Sequence, residues 1–166
     1  MLQIISAVTL GLLVWAKVSK SANPYLGFLK EEFISIGFLL AFIPALFSLF
    51  YSEVLNYAPC FHCWVQRMFL FPQVFLYAVA WFRKDRNVFW YSWPLLLVGF
   101  IDALYLNYIY YFNPSSAPCD ATGVSCAQQF VYEFGGYISI PMLSITSFIS
   151  LITLLLVVYF YKNENK

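Results

Sequence analysis

Charged side chains are scarce in this sequence: Asp, Glu, Lys and Arg together make up 10% of its 166 residues, where a soluble domain carries about 25%. With 62% of the residues hydrophobic, that scarcity excludes an ordinary water-soluble domain, because a chain this short leaves much of its surface outside any core it builds. Lipid is the solvent such a surface requires. Neither sign of charge is in excess, and a net charge of +1 removes the electrostatic case for nucleic acid. Strict alternation is missing from the apolar runs, which excludes barrel strands and leaves helices. Internal repeats and low-complexity tracts are also absent, so one compact membrane domain is expected.

Four apolar runs approach or exceed the roughly 20 residues that cross a bilayer core: Phe33 to about Ser52, about Trp64 to Phe82, Val88 to Phe112, and about Tyr137 to Tyr161. Pro44, Pro72 and Pro94 fall inside them, as membrane helices tolerate when neighbours satisfy the freed carbonyls. A fifth stretch, Leu2 to Val18, lies near the lower length limit. It lacks both the basic start and cleavage site of a signal peptide and the charged face of an interfacial helix. It reads as a short embedded helix with its N-terminus outside, ended by a turn-rich linker over Ser19–Pro24. The fold expected is therefore all-α: a polytopic four-helix membrane bundle with an additional short N-terminal hydrophobic helix. Residues 1–32 form the N-terminal segment and linker, 33–161 the bundle, and 162–166 a tail.

Two inter-helix loops contain no Lys or Arg, and this fixes orientation. Lys17, Lys20, Lys30, Arg83, Lys84, Arg86, Lys162 and Lys166 all fall on one side of a four-span chain, which the positive-inside rule makes cytoplasmic. The loops near 53–63 and 113–136 then face outward. Trp90, Tyr91 and Trp93 near one end of the third run, and Tyr110 and Tyr111 near the other, match aromatic belts.

All four cysteines lie in those two outward loops. Cys60 and Cys63 form a C-x-x-C at the mouth of the second helix, and Cys119 and Cys126 lie in the other loop. The outer face of a bacterial membrane permits disulfides, so two dithiol/disulfide couples are expected. A C-x-x-C that opens a helix can hold a thiolate, because the helix N-terminus stabilises negative charge. Arg67 follows Cys63 by one turn on the same face, so Cys60, Cys63 and Arg67 form one stripe. A cation beside a thiolate at the membrane surface suits an apolar electron acceptor with polar carbonyls, such as a quinone. The second pair brackets six residues including Gly123, a spacing that can close a disulfide without proving one. Pro114, Pro118 and nearby serines make that loop suited to contact with an external protein.

The run Pro59-Cys60-x-x-Cys63-Trp64-x-Gln66-Arg67, with four spans and a second outward cysteine pair, resembles the DsbB/BdbC family of disulfide-bond-formation membrane proteins over roughly residues 33–161. The short spacing of Cys119 and Cys126, and the stretch Phe134-Gly-Gly-Tyr-Ile-Ser-Ile-Pro141, are closer to the BdbC branch. The segment before residue 33 departs from the usual pattern. The resemblance implies a thiol:quinone oxidoreductase that reoxidises a DsbA/BdbD-like thioredoxin-fold oxidase and passes the electrons to ubiquinone or menaquinone in the bacterial cell membrane. Cys119 would take the mixed disulfide with the partner, and Cys126 would resolve it and pass electrons toward Cys60. Cys63 would meet the quinone that Arg67 helps to hold, with the C-terminus in the cytoplasm.

Other readings compete. Four outward cysteines can be structural staples of a scaffold without turnover or can bind zinc. Haem attachment requires C-x-x-C-H, and Trp64 stands at the histidine position. A vitamin-K-epoxide-reductase-like enzyme also carries a C-x-x-C, but near the end of its last core helix. His62, the single histidine, can assist a thiol as an imidazolium or face headgroups. Gln66 has a claim as a quinone neighbour, whereas Gln73 reads as a packing group. Asp102, inside the third run, can move protons or serve as an interhelical hydrogen-bond donor. Glu53 and Glu133 read as solvated interface groups.

Overall fold

The structure is a computed structural model, and it describes residues 2–19, 24–112 and 139–161. Among the described residues six α-helices follow one another: α1 (Leu2–Ser19), α2 (Pro24–Glu31), α3 (Phe33–Leu49), α4 (Phe61–Arg83), α5 (Val88–Phe112) and α6 (Ile140–Phe160), with a π-helical turn (Phe50–Val54) continuing α3. Four of these segments, Phe33–Val54, Phe61–Arg83, Val88–Phe112 and Ile140–Phe160, are long and apolar enough to cross a membrane. This is the expected all-α bundle with an extra apolar helix in front. The expected linker over Ser19–Pro24 is shorter than read: Ser19 belongs to α1 and Pro24 opens α2, proline being suited to the first turn of a helix.

The four long helices form a ring in which α3 packs on α4, α4 on α5, α5 on α6 and α6 back on α3. Lipid gives apolar side chains no reason to leave it, so small residues that let backbones approach decide where such helices meet. On α3 the buried face is Phe33, Gly37, Ala41 and Ala45, at intervals of four. A Cβ added at Gly37 would stand 2.6 Å from Cε1 of Tyr77 on α4. Gly99 does the same for α5 and α6, since a Cβ there would stand 2.5 Å from Cε1 of Phe148. The outward faces are large and apolar; Phe82 is 83% exposed and Phe75 71%, as suits lipid-facing side chains.

Away from the cysteines, α4 and α5 are joined by a fully buried polar knot. Gln73 donates through Nε2 to the Ser92 carbonyl at 3.1 Å, and Tyr77 Oη lies 3.2 Å from Ser92 Oγ, so Gln73 is the packing group expected. Tyr110, read as a belt residue, is buried, while Tyr111 is exposed.

Helix α1 packs along the outside of α6. Gln3 Nε2 donates to Thr146 Oγ1 at 2.6 Å, Ser6 and Ser150 hydroxyls are 3.1 Å apart, and Leu13 clusters with Val157. Because both numbers rise together, α1 runs parallel to α6. Its first residues therefore lie at the same end of the bundle as the start of α6. Lys30, at the tip of α2, donates to the Tyr161 carbonyl at 2.7 Å, which places a cation at the C-terminal end of α6 where the helix dipole favours it.

Candidate redox site

The chain leaves α3 through the π-turn, reverses at Asn56, whose φ of 53° is a left-handed conformation asparagine tolerates, and enters α4 at Cys60. Cys60 is the N-cap residue, with extended backbone (φ −73°, ψ 172°), and its carbonyl accepts the first helical hydrogen bond from Trp64 N at 3.2 Å. Helix α4 thus begins three residues before the apolar run seen in sequence, and Cys63 lies in its first turn. The amides of that turn have no carbonyl within the helix to receive them, so the dithiol sits where negative charge is favoured. The two Sγ atoms are 3.2 Å apart. Cys60 is buried, and it packs with Leu106 of α5 in a small cluster that Cys63 joins.

Both cysteines open on a cleft of about 420 Å³ between α3, α4 and α6, roofed by Tyr57, Ala58 and Pro59. That volume falls in the range of small-molecule sites. Its walls are mostly apolar (Phe47, Leu70, Leu143 and Phe148 among them), and its polar residues include Ser48, Gln66, Arg67 and Ser144 beside Tyr51, Ser52, Tyr57, Thr146 and Ser147. Arg67 is 8% exposed. Its Nε donates to Ser48 Oγ at 2.8 Å, its Nη2 donates to the Ser48 carbonyl at 2.7 Å, and its guanidinium stands 5.2 Å from the Trp64 ring centroid. These hydrogen bonds go to a neutral serine one residue before the end of α3, while Cys63 and Glu53 act on the guanidinium charge electrostatically. Gln66 accepts from Ser144 Oγ at 2.6 Å through Oε1, and its Nε2 is buried with no partner among the described residues. A buried donor left without an acceptor costs about 1–3 kcal/mol; a carbonyl in the cleft would supply one.

His62 is not among the residues that line the cleft. Its Nδ1 lies 2.7 Å from Asp102 Oδ1 on α5, with both side chains largely buried, and its ring is 5.2 Å from that of Tyr105. Asp102 is therefore bound to histidine through Oδ1. Cys119, Cys126 and Glu133 lie outside the described residues, as do Tyr137 and Ile138 at the expected start of the last helix. Ser48 and Ser144 are the site groups that sequence reading missed. Serines in apolar helices offered a signal, but nothing in the sequence said which of the many faced the dithiol.

A vicinal-type dithiol held at a helix N-terminus within a four-helix membrane bundle, beside an apolar cleft, defines a membrane protein built for thiol–disulfide exchange. The chain belongs to the DsbB family: the family model described as "Disulfide bond formation protein DsbB" matches residues 30–159. It is 36% identical over 138 residues to "Probable disulfide formation protein C 2" of Bacillus anthracis, a match covering 83% of this chain and 98% of that one. It is 31% identical over 135 residues to "Disulfide bond formation protein C" of Bacillus subtilis, covering 80% and 96%. The "SPbeta prophage-derived disulfide bond formation protein B" of the same organism is 35% identical over 118 residues, covering 71% and 79%. No solved structure matches the chain. The protein is thus a multi-pass membrane disulfide oxidoreductase, and the resemblance read from Pro59–Arg67 is the family to which it belongs.

Proposed function

We propose that this protein reoxidises a thioredoxin-fold thiol oxidase of the DsbA/BdbD type on the outer side of the bacterial cell membrane and delivers the electrons to a membrane quinone, ubiquinone or menaquinone. The observation that carries this reading is the cleft: the dithiol opens on an apolar space whose polar groups include Arg67, Gln66 and Ser144. That donor set fits a quinone, which offers two carbonyl acceptors on an apolar ring and accepts two electrons and two protons when bound. Arg67 and Gln66 would hold it, against Cys63.

Cys119 and Cys126 are the pair that meets the partner. The partner's thiolate attacks Cys119, Cys126 leaves, and the second partner thiol releases the oxidised partner and a Cys119/Cys126 dithiol. Cys126 then attacks Cys60 in the Cys60–Cys63 disulfide, and Cys63 leaves as the thiolate facing the cleft. Attack by Cys119 on Cys126 closes the loop disulfide again and frees Cys60. Each step exchanges one S–S bond for another, and direction follows relative potential. Seven Lys and Arg residues outside the spans, with Arg83 at the last position of α4, support an extracytoplasmic dithiol, with residues 162–166 on the cytoplasmic side.

The test is steady-state turnover of the purified protein with a reduced thioredoxin-fold oxidase and a soluble quinone analogue, followed by quinone absorbance. Turnover that Cys63→Ser abolishes is the expected result. A protein whose disulfides exchange with the oxidase while quinone is never consumed would contradict the reading, and disulfides that resist the oxidase altogether would make the protein a stapled scaffold.

A further inference from the structure

The cleft beside the dithiol has a far end, and chain direction locates it. Helices α4 and α6 lead away from the dithiol, and α3 leads toward it. The last residues of α4 and α6 to line the cleft are Leu70 and Phe148, and the first of α3 are Ile43 and Pro44. Leu70 follows Cys63 by about 10 Å along the helix, at 1.5 Å per residue. Phe148 lies one turn beyond Ser144, which donates to Gln66, and Leu70 lies about one turn beyond Arg67. The far end is therefore one turn beneath these polar groups. Phe148 is 1% exposed and Leu70 7%, and both belong to the main apolar core, so at this end the cleft meets packed side chains.

The seat of Phe148 is the missing side chain of Gly99 on α5. A Cβ added at Gly99 would stand 2.5 Å from Cε1 and 2.7 Å from Cζ of Phe148, and 3.0 Å from Cβ of Phe69 on α4. Carbon atoms pack at about 3.5–4.0 Å, so the ring already fills the space that any side chain at position 99 would need. Around the ring the core is packed, and the cleft is the open volume that the ring borders. Packed interiors yield little, so a ring driven off Gly99 moves into the cleft and makes it shallower. Gly37 of α3 makes the same kind of contact with Tyr77, at 2.6 Å from Cε1, but neither residue lines the cleft.

We propose that Phe148, seated on Gly99, is the floor of the acceptor cleft and sets how large a ring system the electron acceptor can have. A ring held at Arg67 has about one helical turn of space before this floor, so a second fused ring directed along the cleft comes against Phe148. Phe148 acts by contact with the acceptor, and Gly99 is a positioning residue that acts through it. The inference rests on the cleft being the acceptor site, and it adds which side chains decide the ring system that fits.

The experiment uses full-length protein in lipid nanodiscs with its cysteines oxidised, so that no thiol reduces the probe or adds to it. Two tailless probes, a methylated benzoquinone and a methylated naphthoquinone, are titrated by calorimetry against empty nanodiscs as reference, and the ratio of their dissociation constants is read. Gly99→Ala should weaken the naphthoquinone about tenfold more than the benzoquinone, since one methylene in an apolar pocket changes affinity by that order. Phe148→Leu lowers the floor and should move the ratio the opposite way, and it carries the test if Gly99→Ala does not fold by circular dichroism. Gly37→Ala introduces a comparable clash away from the cleft and should leave the ratio unchanged. A ratio unmoved by both Gly99→Ala and Phe148→Leu would overturn the proposal, as would an equal shift in Gly37→Ala. Wild-type protein that binds neither probe, or binding that Arg67→Ala does not weaken, would overturn the reading of the cleft as the acceptor site and this proposal with it.

Discussion

The two cysteines at the mouth of α4 stand 3.2 Å apart and line the same cleft, yet Cys60 is buried and Cys63 only half-buried. On the cleft side, Cys63 is one turn from Arg67, a charge that no physiological pH removes, clamped by Ser48 and covered by Trp64. Cys60 is the N-cap residue of the helix and packs on Leu106 of α5. A fixed cation suits a thiolate and carbonyl oxygens that must be held in one place. The difference shows how a motif of four residues, symmetrical on paper, gives its two thiols different surroundings once one caps a helix and the other lies in its first turn.

The comparison breaks most readily at Arg67. Arg67→Ala removes two charge-assisted hydrogen bonds and leaves the Ser48 carbonyl without this donor, and a bond to a charged group contributes about 1.5–3 kcal/mol. The KM for a quinone analogue should rise on the order of ten- to a hundredfold, with exchange between the oxidase and Cys119 retained. Arg67→Lys should restore only part of the loss, because an ammonium lacks the planar fork that spans Ser48 Oγ and its carbonyl. Steady-state kinetics across the three proteins measures this; a KM unchanged in Arg67→Ala would reduce the residue to a tie between α3 and α4.

Ser48→Ala sharpens the same side. It removes the Nε bond and keeps the carbonyl bond, so about 1 kcal/mol is at stake, and KM should rise roughly fivefold with kcat unchanged. Trp64→Leu keeps an apolar side chain but withdraws the ring from the guanidinium. A cation–π contact contributes about 0.5–1 kcal/mol at an exposed position, and Trp64 is half exposed. KM should therefore rise only about two- to fivefold. An order of effects other than Arg67, Ser48, Trp64 would mean that the guanidinium is not the group these neighbours serve.

Much of this architecture was legible because lipid enforces it. A run with almost no charge has to become a helix that satisfies its own backbone, and Val88–Phe112 was read to the residue. The C-x-x-C was legible as a helix mouth because proline precedes it and an apolar run follows. Helix α2 was not: eight residues beginning at a proline look like the end of a linker, and their order comes from docking on α6. The π-turn after Leu49 has no sequence signature; it is known from the backbone. The partner of Arg67 escaped because charge arguments search for carboxylates, whereas the groups that hold the guanidinium are a hydroxyl and a carbonyl 19 residues away. His62 and Asp102 were each singled out, and only the packing of α4 on α5 joins them across 40 residues.

The central claim is that the α4 dithiol itself delivers electrons to an acceptor in the cleft. The direct measurement is a single-turnover experiment on pre-reduced protein with Cys119→Ser and Cys126→Ser, mixed with a quinone analogue in the absence of any partner. Loss of one equivalent of quinone absorbance per protein, together with formation of a Cys60–Cys63 disulfide by mass spectrometry, is the predicted result. Quinone that stays oxidised while Cys60 and Cys63 remain thiols would contradict the account.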